Sequence, residues 1–436
     1  MGCGGASGCA AAAGVRDLGD LYALAQSSDP TFRSAQHAWE AARQKKPEAF
    51  SALLPALSAT GSMGRTQGRT QYTGTPEIDR SFNSDQWTLQ LAQPLLRADK
   101  FLAYDEARAI VEQALAQYNA AQQDLILRLS RAYFDEIVAE RNVAAARAQV
   151  EALEEQLHAA QHSYDAGVAS ITDVDDTRSR ASLAEAQRVA ALNDLESSRA
   201  ALEAITGQTP SELAPLRTNA ALPRPEPDDV STWVRRATDN NANVRAARAL
   251  AKSADYELDR SRAQRLPSID LVASYGGSYA GGNINEPIDF GTKVRDKQIS
   301  VQLSMPLLDG GGMHAQVVEA RAQRAKAQAD LDGAQRQAAL DVRQSFSAVL
   351  SGVAQVMALE TAVAAGQNAV KGNRVGYGLG IRINSDVLNA EQQLYSTMHD
   401  LDKARYDTLF AGLKLKAAAG QLSENDLAAI NALLQP

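Results

Sequence analysis

The chain has 436 residues, a formal net charge of −8 and a pI near 5.3. That balance excludes nucleic acid as a partner, because phosphate backbones select basic surfaces. Hydrophobic residues make up 45% but aromatics only 5%. This is thin material for a large globular core and suits long helices packed through small side chains.

Residues 1–16 read as a flexible N-terminus or the remnant of a leader. They hold Cys3 and Cys9, the only cysteines, so no disulfide framework or thiol chemistry is expected. Ala6-Ser7-Gly8-Cys9 faintly resembles the end of a lipoprotein signal, although the charged and apolar regions that should precede it are missing. From about Leu18 to Phe50 an Ala/Gln/charge-rich stretch reads as helix. Ser51 to Met63 and Asp85 to Gln93 read as strands around a Gly/Thr/Arg-rich polar loop. About Asp99 to Asp165 reads as one very long helix without internal proline or glycine. A Gly-Val-Ala-Ser break then leads into a helix from about Asp173 to Thr206. Residues 208–229 are proline-rich and aperiodic, and read as a packed connector or a linker.

The order then repeats: helix to Gln264, strand, Gly/Asn loop, strand at Lys297 to Met305, long helix from about Met313, break near Gly376 to Gly380, helix to Ala419. Leu54-Pro55 recurs as Leu266-Pro267, and Gln93-Pro94-Leu95-Leu96 as Met305-Pro306-Leu307-Leu308, a displacement of 212 residues. Tyr164, Gly167, Asp173 and Gly207 recur as Tyr377, Gly380, Asp386 and Gly420, displaced by 213. The chain therefore reads as a duplicated half: 17–207, then 230–420, with 421–436 as a C-terminal segment.

The strand pattern is sharp. Ile299, Val301, Leu303 and Met305 alternate with Gln298, Ser300, Gln302 and Ser304. Trp87, Leu89 and Leu91 alternate with Gln86, Thr88 and Gln90. A period of two marks a half-buried strand, and lengths of roughly 9–11 residues suit a tilted membrane strand. Two amphipathic hairpins on a soluble core would show the same alternation. No apolar run approaches the ~20 residues of a membrane helix.

The long helices favour the membrane reading. Each would run about 100 Å, too far to bury an apolar stripe without parallel neighbours. The two shorter helices of each half would together match one long rod. Four strands cannot close a barrel, so two, three or four copies would have to supply 8, 12 or 16 strands.

This constellation resembles the TolC family of outer-membrane channel proteins, over about residues 17 to 435. It rests on the duplicated halves, the Leu-Pro strand entries, the Pro-Leu-Leu exits, the breaks at 164–174 and 376–387, and the Ile205-Thr206-Gly207 ending. The resemblance implies a mainly α fold with transmembrane β: a long α-helical barrel plus four β-strands per chain, completing a 12-stranded barrel in a homotrimer. It also implies an outer-membrane exit duct extending into the periplasm, with no enzymatic activity and no cofactor. The implied partners are a periplasmic adaptor (membrane fusion protein), an inner-membrane ABC or other transporter, and outer-membrane lipid. Residues 421–436 would lie in an equatorial segment. The resemblance is closest to members serving type I protein secretion, so the duct would pass protein, such as an adenylate-cyclase or hemolysin-type toxin, or small molecules, and the sequence does not choose between them. The alternatives are a multidrug efflux channel, or a periplasmic coiled-coil scaffold without a pore.

The breaks carry the candidate site. Thr172 and Ser385 read as N-caps, with Asp173 and Asp386 following at the first helical position. These acids would at least complement the helix dipoles. In a three-fold assembly each becomes a ring that attracts cations. By resemblance, Tyr377, Arg382, Asp386 and Asp173 hold or line a constricted periplasmic entrance, and Arg382 pairs with Asp173 within or between chains. Asn389 stands where the family pattern has a second aspartate, while its duplicate position holds Asp176. Gly167, Val168, Gly380 and Ile381 form the helix-turn tips expected to dock the adaptor. Other chemistry is poorly supported. His158 and His162 sit four apart on a helix, but two ligands make a weak metal site. Gly310-Gly311-Gly312 reads as a strand-to-helix turn rather than a phosphate loop.

Overall fold

A computed structural model describes residues 17–209, 212–217, 220–286, 288 and 290–435. Cys3, Cys9 and the lipid-anchor expectation fall outside them. In chain order the elements are α1 (Leu18–Ser28), α2 (Pro30–Arg43), α3 (Lys45–Ser51), β1 (Ala56–Thr70), β2 (Ile78–Leu96), α4 (Ala98–Asp165) and α5 (Ile171–Thr206). There follow α6 (Val230–Asn240), α7 (Ala242–Ala263), β3 (Ser268–Ala280), β4 (Thr292–Ser304), α8 (Gly312–Gly378), α9 (Asn384–Ala418) and α10 (Glu424–Asn431). Two compact units each draw on both sequence halves. One takes residues up to 37, 116–245 and from 333 onward; the other takes 38–115 and 246–332.

The expected first helix is three. Pro30 forces Asp29 into an extended conformation, and Asp29 Oδ2 then accepts from Phe32 N at 2.8 Å, starting α2 afresh. Gln44 interrupts again, and Pro47 is tolerated in the first turn of α3. Arg128 of α4 holds the buried Asp29 carboxylate, Nη2 to Oδ2 2.8 Å, so the kink is fixed from α4.

The strands outrun their expected lengths, at 15, 19, 13 and 13 residues. The polar segments next to the turn are paired rather than looped. Arg69 lies opposite Asp79, 2.7 Å from it, and Arg65 Nε donates to Ser81 Oγ at 3.1 Å. Cross-strand polar pairs sustain a ladder that carries no apolar alternation.

The sheet is antiparallel in the order β1-β2-β3-β4. Its register puts Leu57, Leu91, Ala273 and Ile299 in one cross-strand row, and Ser58, Gln90, Ser274 and Gln298 in the next. One face is thus apolar and the other polar across all four strands. Trp87 and Tyr275 meet edge-on at 5.2 Å on the apolar face. β1 and β4 are edges, and the apolar side chains are exposed in the single chain, Ile299 at 79% and Leu57 at 72%.

The main core lies in the first unit. Leu18, Leu21 and Phe32 pack with Leu125, Leu129, Tyr133 and Phe134 of α4, Tyr406 and Leu409 of α9, and Leu427 and Ile430 of α10. The connector is a packed one. Tyr133 donates to Ala214 O at 2.8 Å, Leu216 N donates to Tyr406 Oη at 3.0 Å, and Leu216 bridges to Leu434. Glycines at equivalent places of the two halves share the left-handed conformation: Gly167 and Gly380 (φ 77 and 71), Gly207 and Gly420 (φ 72 and 68). A Cβ on Gly420 would strike the backbone of Asn240 and Asn241.

Although the sequence has no apolar run of a membrane helix's length, α8 contains an 18-residue stretch that by length and composition alone would suffice to cross a membrane, 11% of it buried.

Candidate functional site

The two breaks are helix–turn–helix tips in the first unit. Each closes with the same 6→1 bond: Val168 N donates to Ser163 O at 2.9 Å and Ile381 N to Gly376 O at 2.9 Å. Gly167 and Gly380 supply the left-handed residue, and Val168 and Ile381 project beyond it, 80% and 76% exposed.

The helix starts differ from expectation. Ser170, not Thr172, caps α5, and Asp173 sits at the third helical position. Ser170 Oγ accepts from Thr172 N at 3.2 Å, while Ser170 N donates to Asp173 Oδ2 at 3.3 Å, completing a capping box. Ile383, not Ser385, caps α9, and it has no side-chain oxygen to offer. Ile383 is the counterpart of Ser170, so this tip has no capping hydroxyl.

Asp386 occupies the position equivalent to Asp173 but has another partner. Arg382 Nη1 lies 3.6 Å from its Oδ2. Within the chain, therefore, Arg382 pairs with Asp386, while Asp173 accepts from the backbone of its own cap. Gly376 makes room: a Cβ there would lie 2.8 Å from Arg382 Cγ. Tyr377 is exposed on the last turn of α8.

Asp176 and Asn389 come together through a residue the sequence did not single out. Arg180 Nε donates to Asp176 Oδ1 and Oδ2, both at 3.2 Å, and its Nη1 donates to Asn389 Oδ1 at 2.9 Å. Beside it, Asn384 Nδ2 donates to Thr177 Oγ1 at 3.1 Å. Both contacts join α5 to α9.

A third tie is buried. Glu391 of α9 is 6% exposed. Its Oε1 accepts from Arg374 Nε at 2.8 Å, with Nη2 at 2.7 Å, and its Oε2 accepts from Gln156 Nε2 at 2.7 Å. One carboxylate thus holds α4, α8 and α9 together. The sequence carried one signal for it: Glu391 continues the apolar stripe of Val387 and Leu388, where a charge needs partners.

The four-stranded amphipathic sheet, the pair of 67- and 68-residue helices and the charged tips define a transmembrane channel subunit. The sequence model described as "Outer membrane efflux protein" matches residues 21–208 and 233–421. The alkaline protease secretion protein AprF of Pseudomonas aeruginosa is 32% identical over 413 residues, covering 94% of this chain and 85% of that protein. The outer membrane protein TolC of Vibrio cholerae is 30% identical over 423 residues, covering 97% and 94%. Protein CyaE of Bordetella pertussis is 28% identical over only 244 residues, 55% of this chain and 50% of that protein. The crystal structure of the CmeC outer membrane channel of Campylobacter jejuni superposes with a TM-score of 0.80 at 15% identity, covering 95% of this chain and 89% of that one. The chain belongs to the outer membrane efflux protein family, that of TolC. It is an outer-membrane channel protein extending into the periplasm, and its family consists of channels, not enzymes.

Proposed function

We propose that three copies form the exit duct of a tripartite export system whose principal cargo is protein, as in type I secretion. The observation that carries this is the open sheet: two unpaired edges, β1 and β4, flank a face apolar on one side and polar on the other. Unpaired edges are untenable in lipid, and twelve strands close a barrel whose polar face surrounds water. Neighbouring copies would also cover the exposed apolar stretch of α8. The whole-chain likeness to AprF, named for protease secretion, favours protein over small drugs. A toxin cargo draws less support, since the likeness to CyaE spans half the chain.

In this reading the tips form the periplasmic entrance. Asp386 and Asp173 become rings of three, Arg382 and Tyr377 narrow the opening, and Asp176, Arg180 and Asn389 tie the two helix pairs of each copy. The exposed Val168 and Ile381, beside Gly167 and Gly380, offer small apolar knobs to an adaptor, which would link the duct to an inner-membrane transporter. Native mass spectrometry of protein extracted from outer membranes should give a particle of three 46.5 kDa chains. In a host lacking its own channel of this family, the chain should restore export of a protease carried by a type I transporter and adaptor. A monomeric particle overturns the duct. A trimer restoring only drug resistance overturns the protein cargo.

A further inference from the structure

The apolar sheet face changes character towards the turns. On β1 the side chains on this face run Leu57, Ala59, Met63, Arg65, Gln67, Arg69 beyond one glycine; on β4 they run Leu303, Val301, Ile299, Lys297, Arg295, Lys293. Five basic residues therefore crowd one end of the two edge strands. The acids sharing that end of the face are Asp79 and Asp85 of β2, and Asp79 is paired with Arg69 at 2.7 Å. Among the described residues Arg65, Lys293, Arg295 and Lys297 form no ion pair. The aromatic residues Trp87, Tyr275 and Tyr279 lie just at the boundary, and Lys297 Nζ stands 5.3 Å over the Tyr275 ring. Aromatic side chains of this kind mark the headgroup level of a membrane barrel. In the trimeric reading the strand ends that join α3, α4, α7 and α8 face the periplasm, so the basic band near the turns sits in the outer leaflet.

The duplication fixes what the edges meet. β2 and β4 are copies displaced by 212 residues, as are β1 and β3. The β2–β3 register pairs Leu91 with Ala273 and Trp87 with Gly277, and Gly281 N donates to Asn83 O at 2.8 Å. Carried to the junction between copies, that register sets Ile299 opposite Arg65 of the next copy and Arg295 opposite its Arg69. Like charges placed directly opposite repel. An anion between them converts the repulsion into charge-assisted hydrogen bonds, and arginine forks fit phosphate oxygens.

We propose that this junction is a binding site for the phosphate groups of an outer-leaflet glycolipid, gripped by Arg65 and Arg69 of one copy and Lys293, Arg295 and Lys297 of its neighbour. The site rests on the trimeric reading above and adds a lipid to it, one per junction. The lipid's acyl chains would lie on Leu57, Val301 and Ile299, and its phosphates would reach the basic band. A lipid so placed spans two copies and stabilises their contact.

The test uses the full-length protein in vesicles of phosphatidylethanolamine with diphosphoryl lipid A, extracted gently and weighed intact by native mass spectrometry. Trimers should retain lipid A, and Arg295→Gln/Lys297→Gln should retain about tenfold less, at roughly a few-fold per basic residue. The charge-preserving Arg295→Lys/Lys297→Arg should retain most of it. Dephosphorylated lipid A should be lost from all of them, and inorganic phosphate should not replace the lipid in stabilising the trimer. Equal retention by the neutralised variant, or of dephosphorylated lipid, overturns the site while leaving the trimer standing. Monomers overturn the trimeric reading and the junction with it.

Discussion

Arg382 reaches Asp386 across one turn of the chain, Nη1 to Oδ2 3.6 Å, whereas Asp173, the duplicate of Asp386, is held by the backbone of its own cap. The two acids occupy matching third positions of α5 and α9, and the difference begins with Ala169 against Arg382: only the second tip places an arginine four residues before its aspartate. The two tips of one chain therefore carry unequal charge arrangements despite their common origin.

Removing the arginine should loosen the entrance. Arg382→Ser is expected to raise single-channel conductance in planar bilayers, by shifting a two-state tip toward open. Asp386→Ala should weaken block by a multivalent cation about tenfold, a loss of about 1.4 kcal/mol. Unchanged block would remove Asp386 from the pore lining.

Supplying the cap should stabilise the helix start without touching a charge. In Ile383→Ser the new hydroxyl accepts from the first turn of α9, worth about 1 kcal/mol. Amide exchange in that turn should slow, while conductance stays near the parent value, because the Arg382–Asp386 pair is untouched. Unchanged exchange would show that the hydroxyl does not reach the first turn.

The buried Glu391 predicts a hierarchy of damage. Arg374→Ala leaves a carboxylate buried with only Gln156 to satisfy it, costing about 3 kcal/mol. Glu391→Gln keeps hydrogen bonding and costs less. The double variant should lie closer to Glu391→Gln than to Arg374→Ala. Hydrogen exchange across α9 near Leu388 is the readout, and additive effects would argue against a shared tie.

pH dependence should come from Glu136, buried in α4. Burial pushes its carboxyl up to about 7, Glu140 adds repulsion and Arg199 opposes both. Arg199 Nε lies 3.6 Å from Glu136 Oε1 and its Nη2 3.1 Å from Glu140 Oε1. The unfolded glutamate titrates near pH ~4.3, so the folded chain binds the extra proton between there and about 7. Its stabilisation is complete below the lower value and is lost as pH rises through the upper one. Thermal stability of the parent should therefore fall between about pH 4 and 7, and Glu136→Gln should flatten that slope. An identical slope would show the carboxylate already ionised.

Periodicity made much of the fold legible. The long rods of α4 and α8 end within a residue or two of where helix-compatible sequence stops, because helices are local. The apolar halves of the strands were legible for the same reason. Their outer halves were not: Arg65, Arg69, Asp79 and Arg295 alternate nothing apolar, and only pairing across the sheet makes them strand. Of the tip residues, the glycines and aspartates stood out through their repetition. Arg180, Arg374, Gln156 and Glu391 did not, because their pairings cross from one helix to another, over 17 to 235 residues, and neither Glu391 nor Arg374 is repeated in the other half.

The sequence alone determined that this protein is a duplicated pair of helix rods and amphipathic strands, since those signals live in spacings of two, of about four and of 212 residues. It also fixed where the chain turns, because a left-handed glycine after a long helix has few other uses. Tertiary structure alone decided which polar side chains meet across helices. Arg382 meets Asp386 four residues on, a spacing the sequence contains, where Gly376 clears its path. Arg180 joins Asp176 to Asn389 because α5 and α9 pack side by side. Pairings of this second kind depend on distances between helices, and a linear pattern does not contain them.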